Sequence, residues 1–208
     1  MRHEYLKLSI GDKVNFECLM CGRCCSSGPN VGLTAFDIHR IAQFLGENWR
    51  NLKGKYVVAV IADRIAIPVL KDKGNGRCVF LEFRNGEAFC SIYPARPMRC
   101  RLYPFIPYSP GNNKIIYLDK CCPGLKANKL IEPPWEILEN CNFEAKLHYS
   151  ELYRLVFREG LEPLEALERT IEKIAKLAHK TTALKNMYGE HFRNVAVCER
   201  DKNRQSNT

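Results

Sequence analysis

The 208-residue chain lacks several features that would place a protein quickly in a functional class. It has no apolar run of the roughly 18 to 20 residues that a bilayer-spanning helix requires, and its N-terminus shows no apolar segment typical of an export signal. The sequence also contains neither a Gly-x-Gly-x-x-Gly pattern nor a P-loop, so it indicates no binding loop for a nucleotide or for S-adenosylmethionine. We therefore expect a soluble cytoplasmic protein that has no membrane partner.

Cysteine, by contrast, is abundant, with 11 residues in the chain. In a reducing cytoplasm, thiols serve as metal ligands or catalytic groups more often than as disulfides, and an odd number fits a closed disulfide framework poorly. A disulfide scaffold stays open as an alternative, because intracellular proteins of hyperthermophiles depart from that rule. The cysteines therefore favour a metal site.

Four of these cysteines stand close together, in the order Cys18, Cys21, Cys24 and Cys25. A two-residue gap lets both thiolates of a pair turn inward onto one metal, and Gly22 can take the positive φ that eases the reversal. The neighbouring Cys24 and Cys25 are not expected to reach one ion together in an unstrained chelate. One of the two would then serve a second metal or none.

The charge balance is basic, with 32 lysines and arginines against 23 aspartates and glutamates and a formal net charge of +9. Such an excess attracts nucleic acid or another acidic partner if it is gathered on one face. Metal-bound thiolates would offset part of it, because each of them brings a negative charge. Nucleic acid is therefore kept only as an alternative partner.

Local patterns in the first half of the chain predict one helix and several short strands. Thr34 and Asp37 form a capping box for a helix that Gly46 is placed to end. The β-branched apolar runs at 56–62 and 65–70 are predicted to be strands.

A second pair of strands is predicted around Asn85-Gly86, which is a strong signal for a two-residue hairpin turn. Counting outward from this turn pairs Leu81 with Cys90 and leaves Cys78 near the open end of its strand. Cys78 and Cys90 can reach one site only if Cys78 sits on a bend outside the ladder. Two glycines just before Cys78 make such a bend feasible.

The later segments complete an α+β fold in three parts. Residues 93–107 carry four prolines and are predicted to form a stiff, irregular connection that holds Cys100. A short strand at 114–118 follows, and helical periodicity at 135–159 and 162–188 predicts a helical hairpin. We predict a small irregular cysteine-rich metal-binding domain with short antiparallel strands and a helix at 1–130, the hairpin packed on it at 131–192, and a polar, disordered tail at 193–208.

The cysteines belong to a longer pattern, which reads Cys18-x-x-Cys21-Gly22-x-Cys24-Cys25, then Cys78-x-Phe80-Leu81, then Cys90-x-Ile92-Tyr93-x-x-Arg96-Pro97-x-x-Cys100-Arg101-x-Tyr103-Pro104, and finally Cys122-Pro123-Gly124. In this order the motifs resemble the CxxCxxCC cysteine-cluster family, the YkgJ-like proteins described as zinc- or iron-chelating domains, over about residues 16–125. The resemblance implies a set of eight metal ligands: Cys18, Cys21, Cys24, Cys25, Cys78, Cys90, Cys100 and Cys122. It leaves out Cys121, Cys141 and Cys198, which we expect to be small buried side chains.

Eight thiolates suffice for two four-cysteine sites, which hold either zinc ions or iron–sulfur clusters. The spacing of Cys18, Cys21 and Cys24 is that of bacterial ferredoxins, in which three such cysteines bind three corners of a [4Fe–4S] cluster. Ser27 stands where the next cysteine would be, so a remote ligand such as Cys122 would have to complete the site. We predict one or two [4Fe–4S] clusters as the cofactor, with zinc as the alternative.

The predicted function is therefore that of a metal-binding protein with an electron-transfer or metal-handling role, which works with a redox or enzyme partner protein. Two alternatives stay open. Flagellin lysine methylases contain a related cysteine cluster, so the chain could be the metal-containing subunit of a protein methylase or of another enzyme. The net charge of +9 leaves a nucleic-acid-associated metal protein as the other alternative. Cysteine-nucleophile chemistry is disfavoured, because most of the histidines, His148 among them, lie away from the cysteine motifs and are expected at the surface. His39 is the exception, since it follows the first cysteine loop on the predicted helix.

Overall fold

The computed structural model describes residues 4–26, 31–85, 87–108 and 114–179. Its strands are short and antiparallel, and they precede two longer helices, which confirms the predicted α+β class. The strands are β1 (Tyr5–Ser9), β2 (Val14–Asn15), β3 (Val57–Ala62), β4 (Ile65–Leu70), β5 (Leu81–Arg84), β6 (Glu87–Cys90), β7 (Phe105–Pro107), β8 (Ile115–Asp119) and β9 (Leu130–Ile131). The helices are α1 (Arg23–Ser26), α2 (Ala35–Leu45), α3 (Met98–Leu102), α4 (Trp135–Tyr153) and α5 (Pro163–His179).

One half of the structure is built on a three-stranded antiparallel sheet in the order β1, β8, β7. Tyr5 pairs with Asp119 at one end of the β1–β8 ladder, and Phe105 pairs with Leu118 between β7 and β8. Strands β2 and β9 form a small separate ladder beside it. Together with α3 and the start of α4, these strands enclose a first hydrophobic cluster: Leu8, Met98, Leu102, Phe105, Ile116, Leu118, Leu138 and Cys141.

The other half contains the two hairpins β3–β4 and β5–β6, which pack with α2, α5 and the end of α4. Its second hydrophobic cluster is larger and includes Leu33, Ile41, Leu52, Leu70, Phe80, Ile92, Leu152 and Ile171. The β5–β6 hairpin has the predicted register, with Leu81 opposite Cys90. Burial of these side chains is the main stabilising contribution in this half.

Helix α2 begins and ends as its sequence predicts. The Thr34 side chain accepts a hydrogen bond from the Asp37 amide, and the Asp37 carboxylate accepts one from the Thr34 amide in return. Gly46 ends the helix with a left-handed φ of 66°. The capping box satisfies amides that the first helical turn leaves unpaired, so the start of α2 is fixed by local sequence.

A buried ion network joins α2 to α4. The Arg40 guanidinium donates to Oδ1 of Asp37 at 2.5 Å and to both carboxylate oxygens of Glu144 at 2.5 and 2.8 Å. All three side chains are buried. Loss of one partner from such a network leaves a buried charge uncompensated and costs about 3 to 5 kcal/mol, so the network holds the two helices in a fixed relation.

The C-terminal helices form the predicted hairpin. Helix α4 continues through a π-helical turn at Arg154–Arg158, Gly160 reverses the chain with a φ of 72°, and α5 follows. Helix α4 packs on both hydrophobic clusters, since Leu138 belongs to the first and Leu152 to the second. None of the described helices is both long and apolar enough to span a bilayer. The predicted end of the second helix at 188 and the predicted tail at 193–208 lie outside the described residues.

Candidate metal centre

All eight cysteines that the resemblance implies as ligands line a single cavity of about 1790 Å³. The cavity lies between the two hydrophobic clusters, with Leu81 of the second and Phe105 of the first among its walls. The thiols reach it from four places in the fold: the loop before α2, the β5–β6 hairpin, α3, and the turn after β8. The fold therefore brings together cysteines that are far apart in sequence.

Four of the thiols come from the loop that contains Cys18 and from the single helical turn α1. Gly22 makes the reversal with a φ of 68°, as predicted, and its carbonyl accepts hydrogen bonds from the Cys25 amide at 3.0 Å and the Ser26 hydroxyl at 2.9 Å. A Cβ added to Gly22 would stand 2.5 Å from Cβ of Ala88. The loop therefore needs glycine here both for its backbone conformation and for its close approach to β6.

Cys78 and Cys90 are delivered by the β5–β6 hairpin. Cys90 ends β6 opposite Leu81, whereas Cys78 lies outside the ladder in an isolated bridge with Asp72. The Cys78 amide donates to the Cys25 carbonyl at 2.8 Å. The expected bend before β5 is thus present, and it places Cys78 against the cysteine loop.

Cys100 is carried by the short helix α3, where the sequence predicted an irregular connection. The prolines restrict the chain on either side of this helix but do not interrupt it, because Pro97 lies just before its first turn. Oδ1 of Asp37 accepts a hydrogen bond from the Met98 amide at 3.0 Å. This buried carboxylate therefore caps α3 as well as α2, and it fixes the helix that presents Cys100.

Cys122 follows β8 and begins a 3₁₀ turn at Pro123–Lys126. The Glu17 amide donates to the Gly124 carbonyl at 3.1 Å, and a Cβ on Gly124 would collide with the Glu17 carbonyl oxygen. Gly124 therefore allows the turn to lie directly against the residue that precedes Cys18. This contact explains how a cysteine near position 120 joins the loop near position 20.

The thiols around Cys122 and those around Cys100 form two neighbourhoods that overlap at Cys24. Burial raises the pKa of Cys122, and its thiol neighbours are Cys18, Cys21 and Cys24. Burial also raises the pKa of Cys100, whose thiol neighbours are Cys78, Cys24 and Cys90. Cys24 thus lies within the electrostatic reach of both neighbourhoods.

The two neighbourhoods are in contact through the side chains of Cys24 and Cys25. Their sulfur atoms lie 3.8 Å apart, and the hydrogen bond from the Cys25 thiol lowers the pKa of Cys24 to about 7. Two sulfurs on one tetrahedral zinc, each about 2.3 Å from the ion, have a similar separation of roughly 3.8 Å. The distance between the two sulfurs alone does not prevent a shared ion, and the expectation that adjacent cysteines do not chelate one ion together stays a prediction.

A tight single-ion site is nevertheless absent from the described part of the chain. No three histidine, cysteine, aspartate or glutamate side chains in residues 4–26, 31–85, 87–108 and 114–179 converge closely enough to hold one metal ion. The thiols face a common space. The donor set suits soft thiolate-binding metals such as zinc and iron in iron–sulfur clusters.

Arg96 supplies positive charge at the edge of the cavity. Its guanidinium lies 3.6 Å over the Tyr93 ring, and its Nε donates to the Tyr93 carbonyl at 3.2 Å. From this position Arg96 lowers the pKa of Cys24, an effect smaller than that of the Cys25 hydrogen bond. A cation fixed beside thiolates stabilises their negative charge.

The remaining cysteines differ in their surroundings. Cys141 is buried and also lines the cavity, and burial raises its pKa to about 11. Cys121 is half-buried and does not line the cavity, although it precedes Cys122 directly. Cys198 lies outside the described residues.

Sequence reasoning placed His148 at the surface, and that prediction was wrong. His148 is fully buried, its Nδ1 accepts a hydrogen bond from the Ala35 amide at 3.2 Å, and burial lowers its pKa to about 4. His39 is buried in α2 and does not line the cavity. His148 belongs to the stripe of α4 that packs against α2, seven residues after the buried Cys141 and four before the buried Leu152. This helical spacing is the signal in the sequence that could have identified it as buried.

The fold and the cavity define a small α+β protein whose centre is a set of thiols suited to metal. A comparison with protein families confirms this class: the profile described as "Putative zinc- or iron-chelating domain" matches residues 17–123. The match covers about half of the chain and spans all eight cysteines of the cavity. The protein therefore belongs to the CxxCxxCC family of metal-binding proteins.

Among curated proteins, the chain is similar to an uncharacterized protein of Methanocaldococcus jannaschii, with 31% identity over 106 residues. The aligned region covers 50% of this chain and 53% of the relative, so the chain spans about half the length of the curated relative that it matches. No solved structure matches the chain.

Proposed function

We propose that the protein holds two iron–sulfur clusters on its eight cavity cysteines and transfers electrons. The observation that carries the proposal is that all eight thiols line one cavity, and we divide them into two groups of four. The first group is Cys25, Cys78, Cys90 and Cys100, and the second group is Cys18, Cys21, Cys24 and Cys122. Four cysteines are the usual ligand set of a [4Fe–4S] cluster.

Backbone contacts support this division. In the first group, the Cys78 amide is bonded to the Cys25 carbonyl, and Cys90 lies on the strand paired with β5. In the second group, the turn after Cys122 is bonded to Glu17, next to Cys18. Main-chain hydrogen bonds thus join Cys78 to Cys25 in the first group, and they join the turn after Cys122 to the residue before Cys18 in the second.

The spacing of the thiols favours clusters over single zinc ions. A zinc ion requires four ligands at about 2.3 Å from one centre, and no three ligating side chains of the described residues converge in that way. Each cysteine of a [4Fe–4S] cluster binds a different iron at a different corner, so its sulfurs stand farther apart. The three-cysteine spacing of Cys18, Cys21 and Cys24 is also that of ferredoxins.

The contact between Cys24 and Cys25 favours electron transfer over a purely structural role. The two groups of ligands meet at these sulfurs, which are 3.8 Å apart. Cys18, Cys21 and Cys24 are exposed, so the second group faces a redox partner protein, whereas Cys78 of the first group is buried. Iron–sulfur clusters supply one-electron chemistry when they are bound, and the chain would hold one near the surface and one inside. A reducing, cytoplasmic location remains part of the proposal.

Purification without oxygen tests the proposal directly. We expect a brown protein with broad absorption near 400 nm, with about eight iron atoms and about eight acid-labile sulfides per chain if both groups are filled. Reduction should bleach the absorption and produce an electron paramagnetic resonance signal. A colourless protein that contains stoichiometric zinc and no sulfide would refute the iron–sulfur proposal and leave a zinc-binding role.

A further inference from the structure

The cavity extends well beyond the cysteines. Its volume of about 1790 Å³ exceeds the roughly 300 to 1,000 Å³ of an ordinary small-molecule pocket. Helix α4 contributes nine of the lining residues, none of which is a proposed metal ligand. Five of them are polar or aromatic and share one side of the helix, and we call the space beside them the α4 lobe: Glu139, Asn142, Lys146, Tyr149 and Tyr153.

These five residues are spaced by three and four along α4, so they form one continuous stripe of the helix. Lys146 and Tyr153 of this stripe are exposed, whereas its other three residues are half-buried. Here the apolar stripe lies beside it and packs into the two hydrophobic clusters through Leu138, Cys141, Leu152 and Leu155. One stripe of helix α4 thus packs into the hydrophobic clusters, and a second stripe of polar and aromatic residues lines the cavity.

Two cations, Lys146 and Arg99, lie in or near the middle of this stripe. Lys146 belongs to α4, and Arg99 reaches α4 from α3, where its charge lowers the pKa of both Cys141 and Tyr149 against the larger raising effect of burial. Within residues 4–26, 31–85, 87–108 and 114–179, neither cation pairs with a carboxylate. Glu139 is the acidic residue of the stripe, and seven residues separate it from Lys146, which is about 10 Å along the helix.

We propose that the α4 lobe binds a small organic anion with an aromatic or apolar body. The acid group, a carboxylate, phosphate or sulfonate, is held by Arg99 and Lys146, two exposed cations that line the cavity, because hydrogen bonds between ionised partners are stronger than neutral ones. The body of the ligand packs on the rings of Tyr149 and Tyr153, which supply flat apolar surfaces. This site goes beyond the metal centre, and its ligand would lie in the same cavity as the thiols.

The probe for this site is 8-anilinonaphthalene-1-sulfonate, an aromatic sulfonate, titrated by fluorescence and calorimetry into the full chain purified without oxygen. Inorganic phosphate, as a competitor, distinguishes recognition of the acid group alone from recognition of the whole ligand. Arg99→Gln and Lys146→Gln are the test variants. Arg158→Gln and Lys7→Gln are matched controls, since both are exposed cations outside the cavity.

We expect one probe molecule per chain and at least a roughly tenfold weaker affinity in each test variant, because a hydrogen bond to a charged group contributes that much or more. The control variants should bind as the unaltered protein does. Absence of saturable binding, or equal affinity in test and control variants, would overturn the proposal. Iron and sulfide are measured in the same samples. If they are absent while anion binding persists, the iron–sulfur proposal has failed and the anion-site proposal has not.

Discussion

Replacement of one cysteine from each group is the sharpest test of how the metal centre is arranged. Cys78→Ser removes a thiol from the first group, and Cys122→Ser removes one from the second. The two groups share no ligand, so each variant should lose one cluster and keep the other. We therefore expect each to retain about half of the iron and sulfide of the unaltered protein, or about four atoms of each per chain.

The structure also predicts how the two variants differ from each other. Cys78 is buried and its amide is bonded to the Cys25 carbonyl, whereas the second group contains three exposed cysteines. Cys122→Ser should therefore leave the more buried cluster, which is better shielded from oxygen. Decay of the absorption near 400 nm in air should be slower for Cys122→Ser than for Cys78→Ser, and elemental analysis before exposure gives the starting content.

Cys121→Ser is the matched control, because Cys121 precedes Cys122 directly but does not line the cavity. This variant should keep the full metal content. Complete loss of metal in both Cys78→Ser and Cys122→Ser would show a single shared site and refute the division into two groups. Full retention in either test variant would show that its cysteine is not a ligand.

Three further predictions concern the residues that support the site. His148 stays neutral in the folded protein down to its pKa of about 4, but it is protonated in the unfolded chain below about pH 6.5. The free energy of unfolding should therefore fall by about 3 kcal/mol as the pH drops from about 6.5 to about 4. Denaturation of His148→Gln should lack this pH-dependent loss of stability. Gly22→Ala should lower both metal content and melting temperature more than Gly46→Ala does. Both glycines have a left-handed φ, but only the new Cβ at position 22 would stand 2.5 Å from Cβ of Ala88. Equal effects of the two substitutions would show that φ alone matters. Asp37→Asn should destabilise the protein by about 3 kcal/mol in denaturant titrations, whereas Glu165→Gln, which breaks an exposed ion pair, should change stability by less than about 1 kcal/mol.

The parts of the fold that sequence predicts well are those fixed by neighbouring residues. The capping box of Thr34 and Asp37, the end of α2 at Gly46 and the hairpin register of Leu81 with Cys90 are all present as predicted. Each depends on contacts between residues a few positions apart. The membership of the cysteine set came from the order of the motifs, and the structure places all eight of its members around one cavity.

The features of the fold that could not be predicted from the sequence depend on contacts between segments that are far apart in the chain. The bond from the Met98 amide to Asp37 spans 61 residues, and the bond from the Ala35 amide to His148 spans 113. Nothing near Met98 indicates that α3 has a cap, so a helix there was not predicted. The approach of Cys122 to the early cysteine loop likewise depends on the contact of Gly124 with Glu17, which no spacing rule describes.

The distribution of the cysteines from Cys18 to Cys122 has a consequence for the order in which the protein matures. Ribosomes add roughly 5 to 20 residues per second, so the approximately 100 residues between these cysteines take about 5 to 20 s to emerge. The first group is complete once Cys100 has been made, about 1 to 4 s before Cys122 completes the second. During that interval the early loop presents exposed thiols with no partner from the end of β8. In the proposed arrangement, the first site can therefore take up metal before Cys122 has been made, whereas the second site can close only afterwards.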